Sequence, residues 1–585
     1  MFDRAGCSKL AIAVAAGWML VGQSGWAQPA ASQPGMVMLQ HADPVFREGL
    51  RRHAMLAGAG TRLHNSGMYR HVFGDTWKNA PQLAAARQSG RWYYVDRITG
   101  GMPFQSLDGI EDVAAELQAD DNFLGFQVHE WGNSPIHDYE RVQRLILEPG
   151  QPFDAEHFAP FEGRVQTPYF SGGDYAMYAD VWRPIRDQAD MEAYLERYFR
   201  KLVGRTRGQV LSVTGYGQLQ HAALRLGAKH VMAEVGSQVP LTGLQIAFTR
   251  GAAREFGKPF GVYYEPWGGT PMGCYSALPF STWFPQHPQM QEEMDGYHIG
   301  PQYGSSRSLQ RRLLWYSWLA GAAFCAEEWG AESYFANWSD YPLTEYGRNV
   351  QELLQVTAAW PRPEPLVPAG LVLPPGTFGV DIRYVAGSAE NLWRTVPPDA
   401  CHQQLRSLSR ELFQSSAAKG YREASNLTPA PWAAYFDVLS ADATAELLAK
   451  YPLVVYLDPQ QAATSPAAAA GRSLVYDVSP EAGTAIRQRI AAELPIQVDG
   501  LVATAQAFCG DRLLVGVFNN LGITKSVSGG EQAAAEATQT ACLRGAVAQC
   551  QVILGHSWVS DIGPEQISLQ VPAGEVVILS FPRGV

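Results

Sequence analysis

As far as about Trp360, apolar positions in this chain fall into two alternating patterns. Short runs rich in β-branched and aromatic residues, with no polar face of their own, take turns with longer stretches whose apolar residues recur every three or four positions. MVMLQ precedes PVFREGLRRHAMLAGAG, MYRHVF precedes NAPQLAAARQSG, and RWYYVDRI precedes GIEDVAAELQ. FLGFQVHEW is followed, after a long insertion, by MEAYLERYFRKLVG. VLSVTGYG then pairs with LQHAALRLG, and HVMAEVG with LTGLQIAFTRGAAREFG. FGVYYEPW pairs with SLQRRLLWYSWLAG, and AAFCAEEW with YGRNVQELLQVTAAW. Strands alternating with helices of this length predict a parallel sheet, and eight such units predict a closed (β/α)8 TIM barrel.

Several of these strand-like runs end on a carboxylate. Glu130 closes strand four, Glu234 falls in strand six, Glu265 closes strand seven, and Glu327 with Glu328 close strand eight. In a parallel barrel the apolar part of a strand packs the core while its C-terminal end reaches the mouth, where active sites lie. Two carboxylates facing one another across a sugar suffice to cleave a glycosidic bond. One protonates the leaving oxygen; the other attacks the anomeric carbon or activates water. A strand-end Glu can equally pair with an Arg or cap a helix, so each needs its surroundings. Glu327 and Glu328 are adjacent, and in a strand they face opposite ways, so at most one enters the mouth.

Beyond the barrel, PRPEPLVP reads as a linker. Apolar strands in AGLVLPPG, FDVLS, YPLVVYL and GRSLVYDV, with helices between them, predict a Rossmann-like α/β domain. Short strands with turn signals from DRLLVGVFNN to EVVILSFP predict a C-terminal β-sandwich. The expected organisation is a catalytic barrel over 28–362, the α/β domain over 363–495 and the sandwich over 496–585.

Composition narrows the function. With 46% apolar and 17% charged residues over 585 positions, the chain can fill several cores. Its 11% aromatic content suits a cleft that stacks on pyranose faces, as well as plain core. A net charge of -11 without Lys/Arg clusters argues against nucleic acid. The first 27 residues, with Arg4 and Lys9 before LAIAVAAGWMLVG and small residues ahead of Gln28, read as an export signal cleaved after Ala27. No later segment reads as membrane-inserted, so the expected location is periplasmic or secreted. Of the six later cysteines, Cys542 with Cys550, or either with Cys509, is the expected pairing if any forms. GxGxxG, P-loop, GxSxG and HExxH patterns are all missing, so the sequence predicts no cofactor and no metal.

The strand-four and strand-seven glutamates carry a resemblance. The layout is similar to clan A glycoside hydrolases, and within them it most resembles the three-domain bacterial β-galactosidases of glycoside hydrolase family 42. GFQVHEWG is similar to their strand-four motif, GVYYEPW occupies the place of their strand-seven glutamate, and GAAFCAEEW with LTEYGRNVQELLQ is similar to their last strand and helix. The resemblance implies Glu130 as acid/base and Glu265 as nucleophile of a retaining hydrolase, with carboxyl groups about 5–5.5 Å apart; about 6.5–9.5 Å implies inversion. It also implies a homo-oligomer through the middle domain. Its point of departure is His129, where the family has Asn, which leaves a separate family and another sugar open. Trp131, Tyr264, Trp267 and Trp329 are the expected aromatic walls; His129, Glu234, His298, Glu328 and Asp96 are the expected further substrate contacts. The competing readings are a non-catalytic carbohydrate-binding protein on a hydrolase scaffold and an inverting glycosidase using Glu234.

Overall fold

The computed structural model describes residues 36–39, 44–63, 80–99, 109–132, 185, 187–268, 273–275, 298–300, 303–328, 330–377, 381–387, 389–393, 396–414, 427, 432–526 and 529–583. The proposed export segment and Trp329 lie outside them. Eight parallel strands close into a barrel: β1 (Met36–Leu39), β2 (Gly60–Leu63), β3 (Tyr93–Thr99), β4 (Phe123–His129), β5 (Val210–Thr214), β6 (His230–Gly236), β7 (Phe260–Glu265) and β11 (Phe324–Glu327), the last pairing with both β7 and β1. Between β7 and β11 lie three short strands, β8 (Trp267–Gly268), β9 (Gly273–Tyr275) and β10 (His298–Gly300), in a sheet of their own. Seven barrel strands fall in the runs that the hydrophobic pattern picks out.

The second does not. Its strand was expected at MYRHVF, which lies outside the described residues, and GTRL begins on the last residue of a run read as helix. The helix Pro44–Arg52 stops eight residues earlier than that run, and Gly60–Leu63 takes the place between β1 and β3. Arg62 interrupts the apolar pattern there and hides the strand. It is nevertheless buried, because Asp96 on β3 neutralises it at 2.6 Å.

The interior holds Met38, Tyr94, Leu124, Leu211, Val213, Met232, Tyr263, Phe324 and Ala326, while alternate residues such as Val95, Phe126, Val262 and Cys325 face the helices. Both faces are covered, which is why these strands read as continuous apolar runs. In β4 the alternation slips by one at Gly125, where pairing to β3 shifts register. A Cβ on Gly125 would lie 2.7 Å from the Leu211 nitrogen. The slip turns Gln127 and His129 inward.

After the barrel, Phe436–Leu439, Ala369–Val372, Leu453–Tyr456 and Ser473–Val475 form a four-stranded parallel sheet in that order. A five-stranded and a four-stranded antiparallel sheet follow, and Val515, Val577 and Leu579 of one share an apolar core with Leu543, Ile567 and Leu569 of the other. The reverse face of the five-stranded sheet, through Leu514, Phe518 and Ile578, joins the core of the barrel. Residues 34–585 therefore pack as one compact unit. Cys509, Cys542 and Cys550 are free thiols, against the expected pairing; Cys509 donates to the Pro361 carbonyl and Cys542 faces Gln566.

Candidate active site

Strand parity decides which glutamates enter the barrel. Met232 is interior, so two residues on Glu234 is too; Tyr263 directs Glu265 inward in the same way, and Ala326 directs Glu328. Glu327 has the opposite parity. It takes a hydrogen bond from Gln310 of the helix Arg307–Leu319, and burial pushes its carboxyl up to about 7 against the opposing effects of Gln310, Tyr334 and Arg62. Glu328 continues the ladder by one residue, its N–H donating to the Tyr264 carbonyl at 2.8 Å.

Glu130 does not follow parity. His129 already faces inward, so a regular strand would turn Glu130 away. Its backbone is instead left-handed, with φ of 46°, a conformation that strains a residue bearing a Cβ. The kink brings two neighbouring side chains to one place: His129 Nε2 lies 3.7 Å from Glu130 Oε1 and 3.6 Å from Glu234 Oε1. His129 and Glu234 are buried, whereas the Glu130 side chain keeps 31% of its exposure. Tyr263 meets the imidazole edge-on at 5.3 Å, and Gln127 Nε2 lies 3.5 Å from Nδ1.

Glu265 stands beside the end of β6, in register with Gly236. Its Oε1 accepts the Gln238 backbone N–H at 2.8 Å, and its Cγ occupies the space where a Cβ on Gly236 would be 2.4 Å away. Below the carboxylates runs an ionic layer. Arg62 bonds Asp96, the Tyr263 hydroxyl at 3.3 Å and the main-chain carbonyls of Glu327 and Glu328.

Several further residues were expected at the site. Asp96 pairs with Arg62 inside the barrel at 2.6 Å. Trp131 is fully buried against Phe199, with ring centroids 4.4 Å apart, and is no cleft wall. Tyr264 has outward parity and its hydroxyl meets Ser305 Oγ at 2.5 Å behind the barrel wall. Trp267 is buried in β8, which pairs with β9, and His298 lies on β10, which pairs with β9 in turn.

Other residues of the site escaped notice. Tyr216 follows β5, and burial raises its phenol above the usual range, with Asp381, Glu130 and Glu234 adding to the effect and Arg383 opposing it. Its ring packs at a tilt against Trp393, with centroids 4.6 Å apart, under the Arg383 guanidinium at 5.4 Å. Asp381 ties this segment together by accepting the backbone N–H groups of Arg383 and Trp393. VTGYG signals a strand end with an aromatic, but nothing in it announces a partner more than 150 residues away. No sequence spacing announces the His129–Glu130–Glu234 cluster either, since its members come from two strands.

No protein-family model matches the chain, and no curated protein does. Among solved structures it is similar to a catalytic mutant of Gan42B, a GH42 β-galactosidase from G. stearothermophilus, at 7% identity over 96% of this chain and 100% of that one, with a TM-score of 0.49. The polyextremophilic β-galactosidase of the Antarctic haloarchaeon Halorubrum lacusprofundi is 10% identical over 94% and 99% of the two chains, with a TM-score of 0.43. A GH5_18 protein from Bifidobacterium longum subsp. infantis is 12% identical over 77% and 100%, with a TM-score of 0.33. Likenesses at these identities and scores carry no argument about activity, so function is read from the chemistry of the site.

Proposed function

We propose that the protein is an exported glycoside hydrolase that cleaves oligo- or polysaccharide by a retaining mechanism. The observation that carries the reading is the convergence of inward-facing carboxylates at the C-terminal ends of β4, β6 and β7 of a closed barrel. Glu265 is the nucleophile. Oε1 accepts the Gln238 N–H, and in this reading the carboxylate attacks the anomeric carbon as the bond to the departing oxygen breaks. Glu130, the most exposed of the three, donates a proton to the departing glycosidic oxygen. In the second step it takes a proton from water as that water displaces Glu265, and the sugar leaves with its original anomeric configuration.

The test is hydrolysis of aryl glycosides and plant or bacterial oligosaccharides by wild type, Glu130→Gln and Glu265→Gln, with the first-formed anomer followed by NMR. Loss of ~10³-fold or more in both variants, with retention in wild type, is the expected result. Inversion in wild type would move the base role to Glu234. A wild type that binds a glycan without cleaving it would reduce the barrel to a carbohydrate-binding scaffold.

A further inference from the structure

The sequence predicts no metal site, yet the fold assembles a set of metal-ligand atoms that no motif could reveal. We propose that His129, Glu130 and Glu234 form a binding site for a divalent cation of the zinc type, and that the cation and the substrate compete for Glu130. The binding claim rests on geometry alone; the competition also rests on the hydrolase reading above.

One ligand atom from each of the three residues lies within 4.8 Å of the others. The imidazole Nε2 is 3.6 Å and 3.7 Å from the two carboxylate oxygens. Those separations are too long for hydrogen bonds, which run to about 3.2 Å. They are close to the edge of a metal tetrahedron: with zinc–ligand bonds of about 2.0–2.1 Å, two ligands stand about 3.4 Å apart. A cation capping the triangle would need shifts of only a few tenths of an ångström along these two edges, and the third, between the carboxylates, lies within 4.8 Å. Two carboxylates and a neutral imidazole also balance a divalent charge, so a filled site would be neutral.

The donor set selects among metals. An imidazole nitrogen suits zinc, copper, iron and nickel, whereas magnesium and calcium prefer oxygen ligands and water. Behind the imidazole, Gln127 lies within reach of Nδ1. With its amide turned to present oxygen and drawn a few tenths of an ångström closer, it would accept Nδ1–H and leave the Nε2 lone pair for the cation, the arrangement that fixes a metal-binding histidine. Access is through Glu130, the exposed member. Once coordinated, its carboxylate has no proton to give, so a loaded site is an inhibited hydrolase.

The experiment is calorimetric titration of the chelator-treated full chain with Zn2+, beside Mg2+ as the contrasting ion. Wild type should bind one Zn2+ saturably and show no saturable Mg2+ uptake. His129→Ala and Glu234→Gln, each checked for native circular dichroism, should each weaken binding by at least 30-fold. So that the test does not depend on the variants folding, Co2+ is also added to wild type, where intense visible absorption is expected from a four-coordinate site. Wild-type binding weaker than millimolar, equal binding by folded variants, or only the faint absorption of six-coordinate Co2+ would overturn the proposal. Activity separates the two claims. Stoichiometric Zn2+ binding by a chain that cleaves no glycoside would sink the hydrolase reading and the competition, leaving the site. Cleavage without any Zn2+ binding would do the reverse.

Discussion

Glu265 has its position because Gly236 has no side chain. A Cβ at residue 236 would meet Glu265 Cγ at 2.4 Å and the Glu265 carbonyl oxygen at 2.5 Å, and the second of these atoms belongs to the main chain. Gly236→Ala must therefore move the end of β7 or swing the carboxylate aside. Misplacing a reacting group by an ångström lowers rates on the order of 10²-fold. The variant is expected to lose about that much in kcat/KM on a cleaved glycoside while remaining folded by circular dichroism. A change of less than threefold would mean that Glu265 is not the group whose position matters. At this scale the sequence is informative up to a point. Glutamates at strand ends are visible as letters, and so is the adjacency of Glu327 and Glu328. What cannot be read is parity after an irregularity. The slip at Gly125 and the left-handed turn at Glu130 decide where His129 and Glu130 point, and both are backbone events. Trp131 and Tyr264 differ from expectation for a related reason: proximity along the chain to a strand-end glutamate says nothing about which side of the barrel wall a ring occupies.

Among elements, the helix Thr242–Glu255 joins the barrel to the parallel sheet. At Gly251 it approaches so closely that a Cβ would meet the Val438 carbonyl oxygen. Arg250 and Arg254 project from it onto Asp437 of Phe436–Leu439, where Arg250 Nε is 2.6 Å from the carboxylate and the Tyr451 hydroxyl donates at 2.7 Å. Arg250 also donates to the carbonyls of Ala434 and Phe436 at 3.0 Å and 2.8 Å. Asp437 is fully buried; burial disfavours its charge, but the two guanidinium groups and the hydrogen bonds hold its carboxyl below the usual range. Removing one partner of such a network strands the others, at about 3–5 kcal/mol. Asp437→Asn is expected to lower the midpoint of thermal unfolding clearly, whereas Glu48→Gln, which removes a surface pair to Arg51 and Arg52, should barely move it. Equal midpoints for wild type and Asp437→Asn would show that the network contributes nothing net. Element order is largely legible from hydrophobic period, as seven of the eight barrel strands attest. GTRL is the instructive exception, because a buried arginine looks exposed until Asp96 on the next strand is known to face it.

Across the whole molecule, buried ionisable groups set two opposing dependences of stability on pH. Burial pushes the carboxyls of Glu327, Glu255 and Glu192 up to about 7. Between about pH 4.5 and 7 the unfolded chain loses these protons first, so each of the three makes stability fall as pH rises. Burial also holds His221 and His230 down to about 3. Below about pH 6.5 the unfolded chain takes up protons that these imidazoles refuse, so each makes stability fall as pH drops. The two windows overlap between about pH 4.5 and 6.5, where the trends oppose one another. Glu327→Gln breaks the balance at one site while keeping an oxygen for Gln310 to bond. Relative to wild type, its stability should be unchanged near pH 4 and should rise to an advantage of ~3 kcal/mol near pH 7.5, since the buried carboxyl ionises only near 7 where the free one ionises near 4.5. Denaturant unfolding of both proteins at those two pH values measures the difference directly. A difference that is the same at both would mean that Glu327 is ionised in the folded protein throughout. Its buried position behind β11 would then have to be supported by charge from Arg62, not by the neutral hydrogen bonds to Gln310 and Tyr334.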